Sequence, residues 1–128
     1  MKNRNKIFYG VIFVSIVVIV SFYLKSTPLI KDTTKFSIGF VRYNGEDITN
    51  QINKADLNDI LTSYSRDKFP IGQQTYSPED LKIEIIGIID GNFVQILLGN
   101  NWGYYNNGRN TYTICDADVL MNEIEKLF

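Results

Sequence analysis

The sequence predicts an α+β protein, in which an N-terminal transmembrane helix precedes a small antiparallel sheet of three to four strands with two helices on one face. Three observations predict this fold: an uncharged N-terminal run, two β-branched runs around Asp90–Gly91, and two segments with apolar residues at helical spacing. The chain divides into a cytoplasmic tail (1–6), a transmembrane helix (7–24), a stalk (25–35) and an extracytoplasmic domain (36–128).

The N-terminal apolar run extends from Ile7 to Leu24, a stretch of 18 residues without a charge. At about 1.5 Å per residue, a helix of this length spans roughly 27 Å, close to the hydrocarbon thickness of a bilayer. Lys2, Arg4 and Lys6 precede the run. Because basic residues beside a membrane segment favour the cytoplasmic side, we expect the N-terminus inside and residues 36–128 outside, at the cell surface.

A cleaved secretory signal is the alternative interpretation of the same run. Signal sequences usually carry an apolar region of about 7 to 15 residues and a small-x-small cleavage site. Here the run is longer, and Phe22, Tyr23 and Leu24 stand where small residues are needed. The sequence favours a retained signal-anchor and leaves cleavage open. The single cysteine, Cys115, is far from the run and has no disulfide partner, so neither a lipid-modified N-terminus nor an internal disulfide is expected.

The domain is predicted to begin with a strand. The segment Lys25–Lys35 is polar, contains a proline and has no period, which is typical of a stalk. After it, Phe36, Ile38 and Phe40 alternate along one side of a strand, and the sequence "NGED" then turns the chain.

The clearest helical pattern follows, between Asn53 and Pro70. Asn53 is the expected N-cap, Asp56 lies near the positive end of the helix dipole, and Pro70 and Gly72 are expected to stop the helix. Its apolar residues recur at i, i+3, i+4 and i+7, and they are Leu57, Ile60, Leu61 and Tyr64.

Two hairpins and a second helix complete the domain. Lys82–Ile89 and Asn92–Leu98 are joined by Asp90–Gly91, and this dipeptide favours a two-residue turn. Asn107–Gly108 is a second turn signal. Asp116 is the expected N-cap of a terminal helix, whose apolar face consists of Val119, Leu120, Ile124, Leu127 and Phe128.

The stretch "NNWGYYNNGRN" has two interpretations. It can be the tip of a hairpin whose aromatic side chains pack across strands. It can also be a ligand-binding surface, because flat amphipathic rings recur at interfaces. The candidate ligand-binding residues are Trp102, Tyr104, Tyr105, Arg109 and Tyr112.

Composition excludes several chemistries. The chain has no histidine, which removes His-activated nucleophiles and the commonest zinc ligand. No glycine-rich phosphate loop precedes a helix. From Phe36 onward there are seven Lys or Arg and thirteen Asp or Glu, a net charge of −6, and this disfavours nucleic-acid binding. We therefore expect no catalytic residues, no metal site and no cofactor.

From Asn53 to Phe128, the sequence resembles the small membrane-anchored surface domains of Gram-positive bacteria whose function is uncharacterised. The features that carry the resemblance are "NKADLNDILTSY" as a first helix, "KIEIIGIIDGNFVQILL" as a hairpin, and "YYNNGRNTY" before a final helix. The resemblance implies a location and a shape, and it implies no mechanism.

These observations favour a non-enzymatic binding or accessory domain on a single membrane helix. Its expected partners are the lipid bilayer, through Ile7 to Leu24, and a protein or cell-wall glycan outside the membrane, with no nucleic acid. The alternative is a cell-wall-active hydrolase that depends on carboxylates such as Glu84 or Asp90.

Overall fold

A computed structural model describes residues 2–24, 26–31, 35–72 and 76–128. It has a mixed α+β fold, as predicted, with an apolar helix at the N-terminus. The elements in chain order are α1 (Lys2–Leu24), β1 (Thr27–Pro28), β2 (Phe36–Tyr43), β3 (Glu46–Asp47), α2 (Lys54–Thr62), β4 (Ser65–Arg66), β5 (Leu81–Ile89), β6 (Asn92–Gly99), β7 (Trp102–Asn106), β8 (Thr111–Thr113) and α3 (Ala117–Glu125).

The predicted number of strands is wrong. The main sheet has six antiparallel strands in the order β3-β2-β5-β6-β7-β8, and β1 and β4 form a separate pair. Strands β1, β3 and β4, which the sequence does not predict, are each two residues long, and β8 is three residues long. Strands this short show no measurable alternation in the sequence, so only their partners identify them.

Helix α1 is long and apolar enough to cross a membrane. The apolar window runs from Asn3 to Val20, and none of it is buried against other residues. The predicted span Ile7–Leu24 lies within the helix. Ser15 is accommodated because its hydroxyl donates to the Val11 carbonyl at 2.8 Å. By length and composition the helix is compatible with a single-pass anchor, and an N-terminal signal sequence would have the same character.

The long hairpin of β5 and β6 forms the centre of the sheet. Asp90 and Gly91 both have positive φ, 50° and 78°, as a two-residue turn of this type requires. Alternate residues of both strands point to one side, which we call the inner face, where Ile83 pairs with Leu98 and Ile85 with Ile96. These four side chains are fully buried. The other side of the sheet is the outer face.

Helices α2 and α3 both pack on the inner face. Leu57 and Leu61 of α2 and Leu120 and Ile124 of α3 are fully buried in the same core as the inner-face strand residues. Ile60 and Tyr64 are partly buried against it, so the predicted stripe is confirmed. In α3 the predicted apolar face holds only in part. Val119 is 48% exposed and Phe128 is 51% exposed.

Helix α3 packs closely on the sheet at Gly103. A Cβ atom there would lie 2.8 Å from the Cβ of Ala117, so any larger residue would push the helix away. Beyond α3, the Phe128 ring packs 4.4 Å from the Tyr43 ring. The chain end is thereby held against β2.

The two predicted helix caps have different outcomes. The Asn53 side chain accepts a hydrogen bond from the Asp56 amide at 3.1 Å, which confirms this cap. Asp116 occupies the N-cap position of α3, but it makes no side-chain capping bond. Its φ of 54° is left-handed, whereas a capping side chain normally extends from β-region backbone. Helix α2 also ends earlier than predicted, at Thr62, because Ser65 and Arg66 leave to pair with β1.

A β-bulge changes the predicted first strand. Ile38 pairs with Gly87 and Phe40 pairs with Ile86, so Gly39 is an additional residue. The bulge reverses the alternation. Phe36 and Ile38 therefore lie on the inner face as predicted, while Phe40 lies on the outer face and Val41 replaces it in the core.

The segment predicted as a stalk is part of the folded domain where the structure describes it. Leu29 and Ile30 are each 2% exposed and belong to the core. Thr27 and Pro28 pair with Arg66 and Ser65, and the Leu29 amide donates to the Tyr64 carbonyl at 2.9 Å. Two buried side chains hold this segment in the core. The segment has no helical or strand periodicity from which their burial could be predicted. Part of the predicted stalk, at 25 and 32–34, lies outside the described residues.

Candidate binding surface

The five candidate residues do not form one site. Trp102 and Tyr104 lie on the outer face, and Tyr105 and Tyr112 lie on the inner face, where they are 7% and 9% exposed. Arg109 lies in the exposed loop between β7 and β8. Neighbouring strand residues point to opposite sides of a sheet, so Tyr104 and Tyr105 could not share a surface. The alternation of residues 102 to 106 already carried this signal.

The inner-face pair confirms the cross-strand interpretation for two of the rings. Tyr105 and Tyr112 are direct partners between β7 and β8, and their ring centroids are 6.2 Å apart. The Arg66 guanidinium lies 3.8 Å from the Tyr112 ring centroid and 5.1 Å from that of Tyr105. Burial raises the pKa of Tyr105, and the positive charge of Arg66 opposes that rise. These rings have a structural role.

On the outer face, Trp102 is enclosed by aromatic rings and a glycine. Its indole lies across Gly99, its direct partner on β6, where an added Cβ would come within 2.1 Å of the indole. The Tyr104 ring stacks on Trp102 with centroids 5.2 Å apart, and the Tyr76 ring packs on it at the same distance. Glycine at 99 is therefore what allows the indole to lie flat at this end of β6.

The outer face carries further apolar side chains on the central strands. Leu97 pairs with Tyr104 and is buried. Further along, Ile88 and Phe93 are direct partners with exposed fractions of 46% and 62%. The buried residues of α2 and α3 lie in the core on the opposite, inner face. Ile88 and Phe93 are not among the candidate residues that the sequence indicates, because in two nearly continuous apolar runs composition alone does not show which side chains lie opposite the core.

A polar strip crosses the same face between the two apolar ends. The Gln95 side chain donates to Glu84 at 3.3 Å, and the Arg42 guanidinium lies 5.1 Å from the Phe40 ring centroid. We call the whole surface the outer patch, and define it by Phe40, Arg42, Glu84, Ile88, Phe93, Gln95, Leu97, Trp102 and Tyr104.

Several cavities lie around the sheet, and three of them are lined by described residues near the candidate side chains. One, of about 430 Å³, is open beside Trp102 and Tyr104 and reaches Asp116 and Asp118 at the start of α3. The other two lie together near the β5–β6 turn, with volumes of about 200 and 320 Å³, and both are lined by Tyr105.

The two carboxylates of the hydrolase alternative lie far apart. Glu84 and Asp90 are six residues apart along β5 and its turn, about 20 Å in extended chain, which exceeds the carboxylate spacing of glycosidases. The Cys115 thiol lies 3.6 Å from an Asp67 carboxylate oxygen, and burial raises its pKa. In residues 2–24, 26–31, 35–72 and 76–128, no group of three Cys, Asp or Glu residues lies close enough to hold a metal ion.

Comparisons of the chain with protein-family models, with curated proteins and with solved structures gave no match.

Proposed function

We propose that the chain is a single-pass, membrane-tethered binding domain that acts without catalysis and holds a partner protein on its outer patch. Helix α1 is the anchor, with the basic N-terminus in the cytoplasm and the domain outside. The resemblance to anchored surface domains of Gram-positive bacteria is consistent with this arrangement.

The observation that carries the proposal is the exposure of large apolar side chains on a regular sheet face. Ile88 and Phe93 form a cross-strand pair that is about half exposed, although a hairpin of this length could carry polar residues there. Contiguous exposed apolar surface rimmed by charge is typical of protein interaction sites. Here the rim and the central strip include Arg42, Glu84 and Gln95, which can fix the register of a partner.

The ring geometry favours a protein over a cell-wall glycan. Sugars stack on exposed ring faces, whereas the Trp102 ring packs against both Tyr76 and Tyr104. Its backbone side is occupied by Gly99. The partly exposed ring edges, together with Ile88 and Phe93, present apolar groups that suit the side chains of another protein.

The hydrolase alternative gains no support from Glu84 and Asp90. Asp90 lies in the turn at the end of β5, and Glu84 accepts a hydrogen bond from Gln95 on the outer face. The two carboxylates are too far apart to act on one glycosidic bond.

In-cell photo-cross-linking tests the proposed partner. A photoreactive residue is placed at position 93 of the full chain, and a matched control is placed at position 119, where Val119 has a similar exposure of 48% on helix α3. We expect one discrete protein adduct from position 93 and none from position 119. Adducts with glycan alone, or equal adducts from both positions, would contradict the proposal.

Paired substitutions separate binding from folding. Ile88→Ser combined with Phe93→Ser should abolish the adduct formed from a probe at position 104, while Val119→Ser should leave it unchanged. Because all three side chains are about half exposed, the effect on the free energy of unfolding should stay small. Topology is tested separately by reporter fusions after Phe128, which should be active only outside the cytoplasm.

A further inference from the structure

We propose that a basic groove on the inner face binds a phosphodiester headgroup. The groove comprises the two cavities near the β5–β6 turn, which share Ile89, Asp90 and Tyr105 as lining residues. The charged groups that line it are Lys31, Lys35, Arg66, Asp90 and Arg109. It is separate from the outer patch, since it lies on the opposite side of the sheet.

Charge distinguishes the groove from the rest of the domain. Among the described residues four cations and one carboxylate line it, whereas the chain from Lys25 onward has ten Lys or Arg and fourteen Asp or Glu, a net charge of −4. Random placement on such an acidic domain would give the opposite balance. A concave site with several cations attracts anions and strengthens their interaction relative to open solvent.

Arg66 is held in position before any ligand arrives. Its guanidinium is stacked on Tyr112 at 3.8 Å, and one terminal nitrogen donates to the Asp67 carbonyl at 3.2 Å. Its Nε atom is buried and has no hydrogen-bond partner among the described residues. A planar guanidinium fixed in this way suits the oxygens of a phosphate, because less side-chain entropy is lost on binding.

The carboxylate of Asp90 adds a hydrogen-bond acceptor to the basic lining of the groove. The cations around it attract the charged oxygens of a phosphate group. Asp90 can also accept a hydrogen bond from a hydroxyl group on the same ligand. A glycerol-bearing phosphodiester combines both properties.

The position of the groove in the chain identifies a source for such a group. Thr27 follows the end of α1 by three residues, so at most about 11 Å of chain separates them. Thr27 pairs with Arg66 of the groove. If α1 spans the bilayer, as the proposed function holds, the groove lies within reach of lipid headgroups. The ligand chemistry does not depend on that anchor, since a soluble phosphodiester has the same group.

Calorimetric titration of the full chain in a neutral detergent tests the groove. The lipid probe is short-chain phosphatidylglycerol, with short-chain phosphatidylcholine as the zwitterionic comparison. The phosphodiester of phosphatidylcholine carries a positively charged choline, which the groove cations repel, and it has no hydroxyl group to donate to Asp90. The soluble probe is glycerophosphoglycerol, which has the same headgroup without acyl chains. We expect saturable binding of phosphatidylglycerol and not of phosphatidylcholine. Equal binding of the soluble probe would identify a soluble phosphodiester as the source, and weaker binding would identify the lipid.

Two double variants with the same charge change give the matched control. Lys31→Gln with Lys35→Gln removes two exposed groove cations, and we expect an affinity at least about tenfold lower. Lys54→Gln with Lys126→Gln removes two exposed cations that lie in neither the groove nor the outer patch, and it should leave the affinity unchanged. Equal losses in both variants, or no saturable binding of either anionic probe, would overturn the proposal. Cross-linking from the outer patch is unaffected by either result, so the two proposals fail separately.

Arg66→Lys distinguishes a positioned guanidinium from simple charge. The variant keeps the positive charge and loses the planar stack on Tyr112. We expect weaker binding of phosphatidylglycerol at an unchanged near-ultraviolet circular dichroism spectrum, which reports the fold. Full affinity in this variant would contradict the assigned role of Arg66.

Discussion

Replacement of Leu29 by alanine tests whether the segment before β2 belongs to the core. The side chain is 2% exposed, so nearly all of it is removed from water on folding. Leu→Ala deletes three carbon groups, each contributing about 0.8 kcal/mol on burial, or about 2.4 kcal/mol in total. The cavity left behind increases the loss to about 2 to 5 kcal/mol. A stalk side chain would contribute close to nothing.

Urea unfolding of the full chain in neutral detergent measures this loss, with the fluorescence of the single tryptophan, Trp102, as the probe. For a slope of about 1 to 3 kcal/mol per molar urea, the midpoint of Leu29→Ala should fall by about 1 M or more. Lys31→Ala is the control, since Lys31 is two residues away and exposed. A shift in Leu29→Ala no larger than that of the control would refute the assignment of this segment to the core.

Three further substitutions test local features of the fold. Gly99→Ala should displace the indole of Trp102, lower the free energy of unfolding by about 1 to 3 kcal/mol and change the tryptophan fluorescence spectrum, whereas an unchanged spectrum would contradict the described packing. Asn53→Ala removes the cap of α2 and should lower the free energy of unfolding by about 1 kcal/mol, measured in urea. Hydrogen bonds from Thr49 lower the pKa of Asp47 below its ordinary value of 3.8, so their stabilisation is present above that pH and is lost as the pH falls through the lowered folded value. Asp47→Asn should therefore lower the unfolding midpoint at about pH 7 and have little effect at about pH 2, and equal effects at both values would contradict this assignment.

The candidate site could be predicted only in part. Its aromatic residues, between positions 102 and 112, are evident from composition. Composition does not show which of two neighbouring strand residues points to which face of the sheet. Alternation assigns Trp102 and Tyr104 to one face and Tyr105 to the other, and the structure has this arrangement. To place Phe93 on the outer face beside Ile88, one needs the same alternation and also the pairing register across the Asp90–Gly91 turn. The stack of Tyr76 on Trp102 joins a loop to a strand, and no local pattern predicts such a contact.

The sequence by itself determined the features that depend on neighbours within a few residues. These are the apolar helix α1, the stripe and cap of α2, and the two-residue turn at Asp90–Gly91, since helix periodicity, capping and positive φ are local properties. Only the tertiary structure decided the bulge at Gly39, the pairing of Thr27–Pro28 with Ser65–Arg66 and the gathering of cations in the basic groove. Each of these features brings together segments that are far apart in the sequence, and no local pattern indicates that they meet. The free energy of these contacts is gained only when the whole core has packed.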